Sequence, residues 1–378
     1  MWYKIKPLDT LFFRDGKPFS MGSETWANPI FPPYPSTVYG AIRTWLIFER
    51  GNLKEFEDGK FDIELGRIIK NEKSNLKEIK KGNLTIKGPF ISLNNNLYFP
   101  VPHVFLKKKG AQESEKNNLF YIDCVSKPEI FISDYPLESI LINKNYFELE
   151  ECYGFIDIDS LKDYLMDNKR ILQFTEKKEI FMEEKKTGIK RNRKTLSSEE
   201  KHLYRVPMIR LKKETNLFIE INGLISYPEE GLIQLGGEGK TVKIEKIENV
   251  DPLTNLRDIN FKFENKLLKI YLATPAIFEN GWLPKWIDKE SFEGNYNGIR
   301  LKLVTCSIGK FNLIGGWDLA NQKPKPMYKA VPAGSVYYFE ILNNISADRI
   351  KNTFHLQNIS DINPEEGFGL ALLGEVRL

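Results

Sequence analysis

The sequence predicts an α+β fold with mainly antiparallel sheets, and three observations carry that prediction. Strands and short helices recur without a long strand-helix-strand ladder, neighbouring strands are joined by short turns, and the plan restarts after about residue 255. The 378 residues suit two domains or one domain with large insertions, and 41% hydrophobic with 12% aromatic residues supplies ample core.

The elements follow in chain order. Tyr3 and Ile5 alternate with Lys4 and Lys6, which reads as an opening strand. A long loop rich in aromatics, Pro and Gly comes next. Connections beyond about 12 to 15 residues are uncommon inside domains unless functional or disordered, and the aromatics argue against disorder. Pro35 and Ser36 signal a helix start, with Val38, Ile42, Trp45, Leu46 and Glu49 at helical spacing. Tyr39, Arg43 and Arg50 fall on another side, which puts an arginine near the helix end that attracts anions. Residues 52–81 are charged and helix-leaning, GNLTIKGPFISLNNNLYFPVPHVFL reads as two strands around an Asn-rich turn, and 107–118 is a polar exposed tip. A short amphipathic helix is expected over 158–166, capped by Asp159 or Ser160. Strands at 203–212 and 216–222 read as a hairpin around Lys213, Glu214 and Thr215, and apolar residues alternate on both sides of the glycines in GLIQLGGEGKTVKIEKIE. From Lys266 come an alternating strand, a turn at Glu279 to Gly281, further strands, and a helix from Ala347. A weak two-fold repetition of strands and helices fits two ferredoxin-like (RRM-like) domains, 1–255 and 256–378, with inserted loops.

Several function classes fall away. Cys124, Cys152 and Cys306 are far apart and form no CxxC pair or even disulfide set, as expected in a reducing compartment. No basic-then-apolar leader opens the sequence and no run of about 18 apolar residues occurs, so a cytoplasmic protein without membrane contact is expected. His103, His202 and His355 are scattered, and no GxSxG, HExxH or paired acidic motif stands out, so neither metal nor other cofactor is expected. Gly239, Lys240 and Thr241 resemble the end of a phosphate-binding loop. The position where that loop needs its first glycine is Gln234, however, and an alternating strand follows where it needs a helix. What remains is a glycine-rich turn, Gly236, Gly237 and Gly239 beside Lys240, whose backbone can approach a ligand or simply close a hairpin.

The net charge of +4 is mild, but its distribution is not. Between residues 185 and 213 eleven basic residues stand against Glu199 and Glu200, with Glu184 just before. Arginines and lysines spread over such a segment can track a phosphate backbone, and interleaved aromatics such as Phe181 and Tyr204 can stack on bases. A solvated charged insertion is the alternative.

PLDTLFFRDGKPF with FPPYPSTVYGAIR, TGIKRNRKTLSSEEKHLYRVPMIRL, and GGWDLANQKPKPMYKAVPAGSVYYFE together resemble the third-subunit family of the Cmr (type III-B) CRISPR effector, within the RAMP superfamily. The resemblance runs nearly the length of the chain. It implies two ferredoxin-like domains, no catalytic activity, and a grip on the repeat-derived 5′ tag of a crRNA. The implied protein partners are the large polymerase-like subunit and an adjacent backbone RAMP subunit. It also implies that a basic thumb-like hairpin at about 176–213 presses on the RNA through Lys190, Arg191, Arg193, Tyr204 and Arg205. The glycine turn with Lys240, and the opening segment and helix with Arg14, Tyr39 and Arg43, are the other implied RNA contacts. The alternative is a RAMP endoribonuclease for precursor crRNA using His202 with Lys190 or Tyr204. A protein-binding adaptor is a third reading.

Overall fold

The computed structural model describes residues 1–14, 29–70, 77–111, 118–128, 134–168, 172–191, 195, 198–318 and 320–376; for 70, 172–173, 189–191 and 198–205 the backbone alone is described. It is a mixed α/β structure whose sheets are mostly antiparallel. The chain forms two compact units that interleave in sequence: Met1–Ile91, Lys178–Val250 and Leu313–Tyr328 make one, and Ser92–Lys177, Asp251–Asn312 and Lys329–Leu378 the other. A partition by compactness thus crosses the sequence several times, where the sequence reading drew one boundary near 255.

In the first unit, strands Thr85–Leu93, Thr215–Asn222, Trp2–Pro7, Thr241–Ile247 and Glu230–Gln234 lie side by side in that order. Trp2–Pro7 is antiparallel to both neighbours, with Ile5 opposite Leu217 on one side and Ile244 on the other. Tyr3 and Ile5 are fully buried, as their alternation with Lys4 and Lys6 predicts. Helix Pro35–Arg50 buries Val38, Ile42, Trp45 and Leu46. The edge of Tyr3 meets Trp45, 6.0 Å between ring centres, and a Cβ on Gly231 would lie 2.4 Å from the Trp45 indole nitrogen. Gly231 is therefore what lets the helix sit close to its strand.

Residues 52–81 depart from the helical expectation. Among the described residues of this stretch, only Leu53–Glu57, held by the Asn52 and Glu55 capping box, and Asp62–Leu65 are helical. Gly66, at φ +81°, ends the second helix, and Arg67–Lys70 pairs antiparallel with Lys77–Lys80. The β-branched pair Ile68 and Ile69 favours that outcome over charge-rich helix continuation.

The second unit centres on a six-stranded sheet ordered Glu293–Tyr296, Ile299–Ser307, Val336–Ile341, Leu267–Leu272, Leu370–Glu375, Gln357–Asn358. Helix Ile158–Leu165 is capped two residues before Asp159 and three before Ser160, the expected positions: the Asp157 carboxylate accepts from the Ser160 N–H at 2.7 Å. The reason is that Asp157 holds the extended backbone a cap needs (φ −71°, ψ 167°), whereas Asp159 and Ser160 are already helical. Just past this helix, Asp167 meets Lys269 at 3.0 Å, both almost fully buried, and the Lys269 ammonium lies 4.1 Å from the Tyr164 ring centre. Gly374 makes room for that lysine, since a Cβ there would come within 2.7 Å of its Cε.

Candidate nucleic-acid interface

Strands Phe181–Arg191 and Ser198–Leu211 form a two-stranded antiparallel hairpin. The register runs from Phe181 opposite Leu211 to Ile189 opposite Leu203, then shifts before Arg191 opposite Ser198. This corrects the pairing expected for 203–212, whose partner is the preceding strand and not 216–222. Thr215–Asn222 is buried at seven of its eight positions, so it needs neighbours and cover on both sides, which only the main sheet supplies.

The two strands of the hairpin differ in burial. Ile180, Phe181, Val206, Met208 and Ile209 are buried, whereas Met182, Glu183, Lys185, Lys186 and Thr187 are exposed. The exposed Glu183, Lys185 and Lys186 stand opposite the buried Ile209, Pro207 and Val206, so the returning strand is covered while its partner faces solvent. Farther along, Thr187 stands opposite Arg205 and Gly188 opposite Tyr204. Lys190 and Arg191 continue the same strand, and His202 lies on the returning one. Side chains at these positions, and Arg193 altogether, lie outside the described residues.

The opening segment roots this hairpin. Leu11 and Ile209 exchange both backbone hydrogen bonds, at 2.7 and 2.8 Å. Phe12 packs with Val206 and Met208, and Phe31 lies 4.8 Å from Phe181. Phe181, expected to stack on a base, is thus core. Phe12 and Phe13 are buried, because the apolar root needs cover that a two-stranded hairpin cannot give itself.

A charge network ties the same segments. Asp9 accepts from Lys240 and from Arg210, each at 3.1 Å, and Arg210 also grips Glu184 on the facing strand. The Lys240 hydrogen bond, reinforced by the Thr10 backbone and by Arg210, lowers the Asp9 pKa to about 2. Arg210 similarly holds Glu184 below the usual carboxylate range. Sequence reasoning missed Asp9 and Glu184 as partners of the basic segment. Asp9 lies 201 and 231 residues from its two cations, and nothing local marks such a pairing.

The glycine turn belongs to this root as well. Leu235 to Lys240 closes the hairpin of Glu230–Gln234 and Thr241–Ile247, the Leu235 N–H donating to the Lys240 carbonyl at 2.9 Å. The Gly237 N–H donates to the Phe12 carbonyl at 2.9 Å. At Gly236, with φ +83°, a Cβ would stand 2.4 Å from that same carbonyl. The close backbone approach expected for a ligand is therefore made to Phe12, and the Lys240 ammonium is engaged by Asp9. Gly239, at φ +61°, faces open space.

Arg43 and Tyr39 form a second group. Arg43 is the ninth of the sixteen residues in its helix, two turns from the N-terminus, so the helix end does not create its field as expected. Its guanidinium instead lies 5.6 Å from the Tyr39 ring centre, and Lys81 approaches the same ring at 5.9 Å. Tyr39 is 1% exposed, which rules out base stacking and leaves it as the platform under two half-buried cations. Arg50, expected on the same side, is consumed by Glu64 at 2.6 Å and the Ser226 carbonyl at 2.8 Å. Arg14 is exposed and its backbone bridges Pro29. The remaining histidines are structural: His355 is buried with Nε2 at 2.8 Å from the Leu256 carbonyl, and burial holds the His103 pKa down. Among the described residues no three His, Cys, Asp or Glu side chains are grouped to hold a metal, and no helix is long and apolar enough to cross a membrane.

The structure is thus a mixed α/β scaffold, mostly antiparallel, with a basic two-stranded hairpin rooted on it by buried aromatic residues. The family model of the CRISPR-associated protein Cas_Cmr3 matches residues 3–376, and the chain belongs to that family. A curated relative, the CRISPR system CMR subunit Cmr3 of Saccharolobus solfataricus, is 25% identical over 349 residues, covering 91% of this chain and 88% of the relative. Among solved structures, a chain of the type III-B Cmr-beta complex bound to cognate target RNA is 20% identical, with a TM-score of 0.49 over 89% of this chain and 86% of that one. A chain of the Csm3-Csm4 subcomplex of the type III-A interference complex is 13% identical, with a TM-score of 0.36 over 92% and 95%.

Proposed function

We propose that this protein is a non-catalytic crRNA-binding subunit of a type III-B CRISPR effector ribonucleoprotein. It holds the repeat-derived 5′ tag and docks the large polymerase-like subunit and an adjacent backbone RAMP subunit. Membership of the Cas_Cmr3 family supports the setting, and the relative named as a CMR subunit points the same way. The observation that carries the RNA role is the hairpin of Phe181–Arg191 and Ser198–Leu211, whose first strand exposes Lys185 and Lys186 and which carries Lys190, Arg191 and Arg205 further along. Cations strung along a two-stranded ribbon can neutralise a phosphate backbone and gain order from it. Arg14 and Arg43 add cations on the same unit, Arg43 steadied on the Tyr39 ring. Gly236, Gly237 and Lys240 act one step back, holding the opening segment from which Arg14 projects. Two ferredoxin-like domains and a cytoplasmic location complete the reading.

Replacing Lys190, Arg191 and Arg193 together with Ala tests it. Affinity for a tag-bearing crRNA should fall, and the slope of log affinity against log salt should flatten by about one unit per lost phosphate contact. Unchanged affinity and slope would remove the hairpin from the RNA site. Metal-independent cleavage of repeat RNA that disappears in His202→Ala would replace this reading with the endoribonuclease.

A further inference from the structure

Lys269 is the only lysine or arginine that is buried among the described residues, and RNA binding gives it no role. It stands in the six-stranded sheet of the second unit, in a row that crosses four strands. Thr305 is opposite Tyr338, Tyr338 opposite Lys269, and Lys269 opposite Gly374. The Ser92–Lys177 stretch meets this row strand by strand. Tyr135 shares a hydrogen bond with Thr305 at 3.2 Å, Tyr121 shares one with Tyr338 at 3.0 Å, and Asp167 accepts from Lys269 at 3.0 Å. The Leu165 carbonyl faces Gly374, 2.9 Å from where a Cβ would stand. Burying two charges forfeits so much hydration that an ion pair rarely stabilises a core more than an apolar pair of equal volume does. Stability is therefore a poor reason for this pair to be there.

Asp167 carries a second cost. Helix Ile158–Leu165 ends in a Schellman motif, the Asn168 N–H donating to the Asp163 carbonyl at 2.9 Å and the Asp167 N–H to the Tyr164 carbonyl at 3.1 Å. Asp167 takes the left-handed position of that motif, φ +61°, where glycine is the usual residue and a side chain is strained. The chain thus keeps a carboxylate where the backbone favours none. It points that carboxylate at a lysine which fits only because residue 374 has no side chain.

What needs specifying at this place is the seat of the Ser92–Lys177 stretch. The chain leaves the second unit after Lys177 and returns at Asp251, so residues 178–250 separate this stretch from the strands it lies on, and connectivity places it only loosely. Its apolar residues, Phe105 and Leu165 among them, gain from burial without regard to direction and tolerate more than one alignment. A buried ion pair tolerates one, because no water replaces either partner when they separate.

We propose that Asp167 and Lys269 form an alignment pin, fixing where the Ser92–Lys177 stretch sits on the C-terminal sheet at some cost in stability. The pin is independent of the RNA-binding reading above.

Thermal unfolding and amide hydrogen exchange of full-length variants test it. Asp167→Gly suits the backbone yet should lower Tm by on the order of 10 °C, because Lys269 stays buried without its counter-charge. Adding Lys269→Met should return Tm to the wild-type value or above it. In that double variant exchange should nevertheless rise about tenfold in Phe105–Lys108, Asn118–Tyr121 and Ile158–Leu165, while Leu267–Leu272 and Val336–Ile341 keep their protection. A Tm for Asp167→Gly at or above that of the wild type would show that the position needs only a glycine, and overturns the pin. So does a double variant with recovered Tm and wild-type exchange, since alignment would then survive without the pair. A double variant no more stable than Asp167→Gly alone also overturns it, because an unpaired buried charge would not be what the single variant suffers from.

Discussion

Asp9 shows how one exposed carboxylate can organise cations from separate strands. It takes Lys240 from the glycine turn and Arg210 from the hairpin root, so neither is left to repel the other. With a folded pKa of about 2 against about 3.9 for an unperturbed Asp, its contribution is complete above about pH 5. It is lost as pH falls toward 2. Because Asp9 is largely exposed, the whole effect should stay under about 1 kcal/mol. Thermal unfolding of wild type and Asp9→Asn from pH 2 to 7 should show a constant small gap above pH 5 that closes on acidification. A gap that persists at pH 2 would mean that Asp9 acts through something other than its charge. The glycines separate just as cleanly. Gly236→Ala meets both a positive φ and the Phe12 carbonyl, whereas Gly239→Ala meets only the positive φ. Urea unfolding should give a loss of about 1 to 2 kcal/mol for Gly239→Ala and a larger one for Gly236→Ala.

At the scale of elements, the basic hairpin depends on a loop far from it in sequence. Phe12 covers Val206 and Met208, and the backbone of Leu11 adds a short third strand at Ile209. Phe12→Ala should cost about 3 to 5 kcal/mol of global stability. It should also raise amide hydrogen exchange first in Phe181–Arg191 and Ser198–Leu211, ahead of the main sheet. Uniform exchange across the whole first unit would show that the hairpin is not separately rooted there. The pairing of 203–212 with the preceding strand could not be seen locally, because two alternating strands beside a three-residue turn are the ordinary signature of a hairpin. What decided against it was demand elsewhere: Thr215–Asn222 is apolar enough to be needed between two strands of the sheet.

For the molecule as a whole, RNA that binds only the folded chain must stabilise it by mass action. A tag-bearing RNA at 100 times its dissociation constant should add about 2.7 kcal/mol, seen as a rise in Tm that diminishes with added salt. A Tm that does not respond to RNA under conditions where anisotropy reports binding would mean that the RNA binds unfolded chain as well. The same scale reveals how the chain is assembled. Residues 92–177 are compact with the C-terminal part and 313–328 with the N-terminal part, so successive stretches of sequence contribute to different units. A composition-based boundary reads the chain in order and has no access to such returns.

Local chemistry determined a good deal here. The alternation at Tyr3 and Ile5, the apolar stripe from Val38 to Leu46, and the concentration of lysine and arginine between 185 and 213 each follow from residue type and spacing. Those features survive folding because each depends on neighbours within a turn or a strand. The antiparallel α+β class and the family were legible for the same reason, the family from short motifs quoted in order along the chain. Only the tertiary structure decided what the aromatics and glycines are for. Phe12, Phe13 and Tyr39 could have faced bases, and Gly236 and Gly237 could have cradled a phosphate; their actual neighbours are Val206, Met208, Arg43 and the Phe12 carbonyl. Burial and close approach are set by what the remote chain brings alongside. Local spacing carries no information about partners some two hundred residues away.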